Sequence, residues 1–200
     1  MSLYSSVRIG LYRLFRFVFH RRGYGIHSPF VFRFITTVVE ERMPYYAFSL
    51  LRARWTGKGR GGWSWRELEL IFRLTDRMHC TSCLLIGQDT DAVLSYATTA
   101  NSRVRVEKSE SLILGNVRDF DLIILQDWKQ DMADSRFLPV PFQKNKGEQI
   151  YLFNLRTGPC RTLWHKILDS PSITVSIDLG GVGIAFAYPQ LNKRHYNAYV

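Results

Sequence analysis

Cysteine is scarce: Cys80, Cys83 and Cys160 are the only three in 200 residues. Three thiols cannot all pair within one chain, so no disulfide framework is expected and a reducing cytoplasm is the compartment that fits. No uninterrupted apolar run with a cleavage site stands near the start, which argues against a signal peptide. The most apolar early stretch, Leu11–Phe19, is broken by Arg13 and Arg16 and falls well short of the roughly 20 residues of a spanning helix. No transmembrane segment is expected. Low-complexity tracts are also missing, and with 46% apolar and 14% aromatic residues the chain can bury one full core plus a small helical attachment.

Acidic residues are scarce in one place. Residues 1–66 hold 12 Lys and Arg against Glu40 and Glu41, whereas residues 67–200 hold 15 basic and 15 acidic residues. The whole net charge of +10 therefore sits in the first third. Such asymmetry suits an anionic partner, nucleic acid or a phospholipid surface, and its plain alternative is a solvated face. Arg13, Arg16, Arg21 and Arg22, interleaved with aromatics, are the anion-binding candidates. No recognised nucleic-acid motif accompanies them, so only non-specific, salt-sensitive binding follows.

Helix signals come first along the chain. Arg21–Ile26 breaks an initial helix; Ser28 and Pro29 then supply an N-cap and first-turn proline for a helix over Pro29–Arg42, with Phe30, Phe34, Thr37 and Val38 as its buried stripe. Tyr45–Arg54 predicts another. The run Thr56–Gly62, with four glycines, marks a boundary between a basic helical section, 1–62, and an α/β domain, 63–200. Ser64 and Glu67 have capping-box spacing, and Leu68, Ile71, Phe72 and Thr75 follow at helical spacing.

Strands alternate with helices beyond that point: Cys83–Ile86, Val104–Glu107, Phe120–Leu125 and Gln149–Phe153 are strands, and Ala92–Ala100 and Arg161–Leu168 are helices. Ile173–Leu179 and Val182–Tyr188, joined by Gly180-Gly181, close the chain as a hairpin. This order predicts a Rossmann-like α/β fold: a mostly parallel sheet with a C-terminal antiparallel hairpin and a helical N-terminal section.

Glycine is missing where such a fold uses it most. The strand Cys83–Ile86 ends in Gly87, as nucleotide-binding α/β domains begin, but Gln88, Asp89, Thr90 and Asp91 follow where further glycines would let a ligand approach the backbone. Bulk and negative charge take that space. Only 12 residues separate Glu107 from Phe120, too few for a helix, a strand and a second helix.

Three segments, Gly25–Phe32 with Tyr45–Phe48, Leu68–Gly87, and Trp164–Tyr196, resemble a family of bacterial class I S-adenosylmethionine-dependent methyltransferase-like proteins. The resemblance implies S-adenosylmethionine as cofactor, its methionine moiety by the glycine loop at Gly87, Gln88 and Asp89. It implies a ribose held by Glu107 and a site edge at Gln126 and Asp127, with the strand flanking the adenine pocket missing from this chain. It also implies a substrate opening covered by N-terminal helices, which makes His27, Tyr45 and Tyr46 cleft candidates. Metal-dependent relatives place carboxylates where this chain has Gln126 and Phe153-Asn154, so no metal is expected.

His79–Cys83 contains a CxxC spacing with no second ligand pair, and packed thiols are its expected reading. No His or carboxylate constellation announces a catalytic base, and the catalytic residues are left unassigned. Two functions stand side by side. One is a methyltransferase acting on an unspecified acceptor; the other is a degenerate, catalytically silent relative whose Arg-rich helices contact an anionic partner.

Overall fold

The structure, a computed structural model, describes residues 28–56, 60–110, 117–127 and 148–198. The initial helix, His27, and Arg13, Arg16, Arg21 and Arg22 lie outside these residues. Among the described residues seven strands form one sheet, in the order β2-β1-β3-β4-β6-β5-β7. They are β1 Ser82–Ile86, β2 Arg105–Ser109, β3 Leu122–Leu125, β4 Gln149–Asn154, β5 Val175–Asp178, β6 Val182–Ala187 and β7 Arg194–Asn197. All run parallel except β6, which pairs antiparallel with β4 and β5. The Rossmann-like fold and its closing hairpin are thus as the sequence predicts. No strand separates β2 from β3 among the described residues, and β2 is an edge.

Helices cover both faces. On one face lie α1 (Pro29–Phe34), α2 (Tyr46–Arg54), α3 (Trp65–Arg77) and α4 (Asp91–Ala100), and on the other α5 (Gly158–Leu168) packs Leu163, Trp164 and Ile167 against β3, β4 and β6. The alternation within strands decides the faces: Leu85 and Ile124 join the first cluster, and Leu84, Ile86, Ile123 and Leu125 the second. Val31, Phe34, Ile35, Val38, Phe48 and Leu51 of the N-terminal helices belong to the same buried cluster as the sheet.

Pro29–Arg42 is not one regular helix. Ser28 accepts from the Val31 amide at 3.4 Å and Pro29 opens α1 as expected, but α1 passes into a π-helical turn, Ile35–Val39. The wider turn shifts the phase, so Val39 is buried while Thr37 is exposed with its hydroxyl bonded to the Arg33 carbonyl at 2.8 Å. The predicted Thr37 contact is therefore corrected. Buried Arg73 of α3 donates from Nε to the Val38 carbonyl at 2.7 Å, satisfying an orphan acceptor at the end of that turn.

At the start of α3, Glu67 accepts from the Ser64 amide at 2.7 Å, the predicted capping box, and Leu68, Ile71, Phe72 and Thr75, set at helical spacing, are all buried. β7 was not predicted. Its Arg-His-Tyr-Asn sequence has no apolar alternation because it is an exposed edge, paired on one side only.

Candidate functional site

The carboxyl ends of β1, β2, β3 and β4 meet at one edge, where open α/β sheets place their ligands. The sequence candidates converge there. Gln126 donates its backbone amide to the Ile86 carbonyl at 2.9 Å, and the Gln88 amide donates to the Asp127 carbonyl at 3.0 Å. The Gly87 amide donates to the Ser109 carbonyl at 2.9 Å. Gly87, Gln88, Asp89, Gln126 and Asp127 are therefore neighbours. Glu107 is not beside them: it stands within β2 opposite Leu84, two residues before the strand ends, exposed and 3.7 Å from Arg105.

Gln126 is 2% exposed and every polar end of its amide is used. Its Nε2 donates to the Gln88 carbonyl and, at 3.3 Å, to the Asp89 carbonyl, and its Oε1 accepts from the Trp63 indole at 2.8 Å. Trp63, itself buried, arrives from the segment before α3, and Gly61 of that segment lies so close to the Gln126 amide that no side chain would fit. Asn154, at the end of β4, donates to the Gly61 carbonyl at 3.4 Å. The segment Arg60–Trp63 is thus laced over the ends of β1, β3 and β4, and Arg60 stacks 4.4 Å from the ring of Trp65.

Gly87 has φ +127°, and a Cβ there would stand 2.8 Å from the Asp127 amide nitrogen. The glycine admits the chain's own backbone. S-adenosylmethionine, in the placement that the resemblance implies, would lie against Gln126, whose amide is already bonded to Trp63, Gln88 and Asp89. The polar groups that would meet the cofactor there are paired within the chain itself. A neutral amide saturated by two carbonyls and an indole also offers no charge to a metal and no proton acceptor. Among the described residues no three His, Cys, Asp or Glu side chains are placed so that they could hold a metal ion.

A cavity of about 1090 Å³ opens beside this edge, between the Val39–Arg52 region and α3. Tyr45 and Tyr46 line it, as does the turn between β5 and β6 through Gly181. The Tyr45 hydroxyl is 3.2 Å from both carboxylate oxygens of Glu41 and accepts from Arg77 at 3.4 Å. Burial and the Glu41 charge raise its pKa against the opposing pull of Arg77, so it remains a neutral phenol. Five arginines and four glutamates share the wall. Of the glutamates, Glu41, Glu67 and Glu69 are nearly buried and ion-paired with half-exposed Arg77, Arg156 and Arg52. Sequence reasoning missed Trp63, Arg66, Arg73 and Arg156; only the arginine count of the first third pointed this way.

The cysteines are packed thiols. All three are free and buried, and burial pushes Cys80 and Cys160 up to about 12 and Cys83 well above its usual value. A disulfide-exchange reagent at pH 8 is expected to find no fast-reacting thiol in the folded protein and three after denaturation. One thiol titrating within seconds in the native state would contradict this.

No protein-family model matches the sequence, and no curated protein does. Among solved structures the chain is similar to an O-methyltransferase from Bacillus cereus in complex with SAH, at 14% identity and TM-score 0.41, over 76% of this chain and 94% of that one. It is also similar to a cofactor-bound protein from MTB, at 13% identity and TM-score 0.39, over 74% and 99% of the two chains. Among the described residues no helix is long and apolar enough to cross a membrane.

Proposed function

We propose that this chain is a degenerate class I methyltransferase-like protein, without cofactor binding, that serves as a binding module for an anionic partner. The observation that supports it is the Gln126 amide, bonded on every side by Trp63, Gln88 and Asp89 where the methionine moiety would lie. A ligand entering there must break these bonds and leave buried polar groups unpaired, at roughly 1–3 kcal/mol for each group. The absence of further glycines after Gly87 supports the same reading. The positive excess of residues 1–66 supports the anionic partner.

Calorimetric titration with S-adenosylmethionine and with S-adenosylhomocysteine tests the reading. No heat, and no thermal stabilisation at millimolar ligand, is the expected result. Micromolar binding, about −8 kcal/mol, that Glu107→Ala weakens would overturn it in favour of an active transferase with Gly87, Gln88, Asp89, Glu107, Gln126 and Asp127 as the cofactor site. A search for a methyl acceptor at Tyr45 and Tyr46 would then follow.

A further inference from the structure

The charges around the cavity are unequal in a way the composition hides. Glu41, Glu67 and Glu69 lie at the floor, each already neutralised by an arginine, whereas Arg42 and Arg66 are exposed in the wall and make no ion pair among the described residues. Arg156 gives Nη1 to Glu67 at 2.6 Å, and its Nη2 borders the turn at Gly181. Arg52 holds Glu69 through Nε at 2.7 Å and is half-exposed. Glu41, Glu67 and Glu69 are nearly buried, and every arginine of the wall but Arg73 is exposed. Glu40 is the remaining acid of the wall.

The rim carries a second, independent anomaly. Met43 is 68% exposed, Tyr46 99% and Leu50 76%. Met43 and Tyr46 line the cavity mouth, and Leu50 follows Tyr46 at i+4 on the same face of α2. Arg42 flanks this face at one end and Arg54 at the other, and α2 itself contains no acid. Nucleic acid would use the arginines and Tyr46, but it offers Leu50 and Met43 nothing. An apolar face bounded by cations is what an anionic bilayer surface accepts: side chains enter the acyl boundary and arginines meet phosphates.

We infer that α2 docks on an anionic lipid surface, with Met43, Tyr46 and Leu50 entering the interface while Arg42 and Arg66 draw a lipid phosphate to the cavity mouth. This deepens the anionic-partner half of the proposed function and does not depend on the closure at Gln126. Vesicle binding and cofactor calorimetry therefore fail separately.

The test is co-sedimentation of the full chain with vesicles of phosphatidylcholine alone and of phosphatidylcholine mixed equally with phosphatidylglycerol. Binding is expected only to the mixed vesicles. Arg42→Gln and Arg66→Gln should each weaken it about fivefold, and Tyr46→Ser combined with Leu50→Ser at least tenfold. All four positions are exposed, so unchanged far-ultraviolet spectra should confirm intact folding. Three results would each overturn the inference. One is no sedimentation with either vesicle. The second is sedimentation unchanged by the Tyr46 and Leu50 substitutions, which would place contact elsewhere in the basic chain. The third is vesicle-independent binding of duplex DNA, or stabilisation by inorganic phosphate alone, that the arginine variants abolish and the apolar ones leave intact.

Discussion

Trp63→Ala should cost about 5 kcal/mol of stability, near the top of the range for a single core truncation. Removing a buried tryptophan ring leaves a cavity worth roughly 3–5 kcal/mol, and here it also strips the buried Gln126 Oε1 of the indole donor that stands 2.8 Å away. At about 2–4 °C per kcal/mol for a chain of this size, the melting point should fall by roughly 10–20 °C. Trp63→Phe separates the two contributions, since it keeps most of the packing and orphans the same carbonyl; about 1–3 kcal/mol is expected from that loss. Urea denaturation with an unchanged slope reads both values. A loss below 1 kcal/mol for the alanine variant would mean that the segment before α3 does not hold the edge. The same variant bears on function: if removal of the ring lets S-adenosylhomocysteine bind where the native chain gives no heat, the closure is what excludes the cofactor.

That closure shows which parts of the site could be read from sequence. The strand before Gly87, the capping box at Ser64 and Glu67, and the Gly180-Gly181 hairpin are local patterns, legible because turn chemistry and hydrophobic period act over a few residues. The helical spacing of Leu68, Ile71, Phe72 and Thr75, all buried, was legible for the same reason. Gln126 was legible as a site-edge residue through the resemblance and as a departure, a glutamine where metal-dependent relatives carry an acid, but not as a bonded closure. Its partner Trp63 lies 63 residues away, and nothing in the pattern around Trp63 marks it as the group that satisfies a buried amide. The π turn was hidden because Thr36 and Thr37 bond backward to the Phe32 and Arg33 carbonyls, a choice settled by packing on α3. β7 was hidden because an edge strand with one exposed side needs no apolar alternation.

One residue pair joins the closed edge to the open cavity. Glu67 caps the Ser64 amide at 2.7 Å and receives Arg156 Nη1 at 2.6 Å, so the start of α3 is tied to the residue that follows Leu155 beyond β4. The segment Arg60–Trp63 enters α3 through this point, which means that the lacing over Gln126 and the wall of the cavity share one support. The functional content of a fold lies in its sites, and among the described residues the edge carries the paired amide of Gln126 while the cavity opens beside it.

Gly87→Ala is the substitution that separates a glycine kept for a ligand from one kept for the chain. At φ +127° an L side chain is strained whatever the space around it, a cost of roughly 1–3 kcal/mol. The new Cβ would also meet the backbone of Asp127, with its amide nitrogen 2.8 Å away and its carbonyl oxygen nearer still. Backbone cannot swing aside as a flexible side chain can, and the contact is reinforced by the Gln88 amide bond to that same carbonyl at 3.0 Å. A total loss of at least about 3 kcal/mol is expected, read by thermal or urea unfolding. Gly158→Ala is the control: it sits at the start of α5 with nothing within 4 Å of a built Cβ, so alanine there should be neutral or stabilise by about 0.4–1 kcal/mol. Were Gly87 an opening for a cofactor, alanine would block a ligand and cost only the backbone strain, roughly 1–3 kcal/mol. A loss beyond that strain would instead mark the loop after β1 and the end of β3 as surfaces built to close on each other.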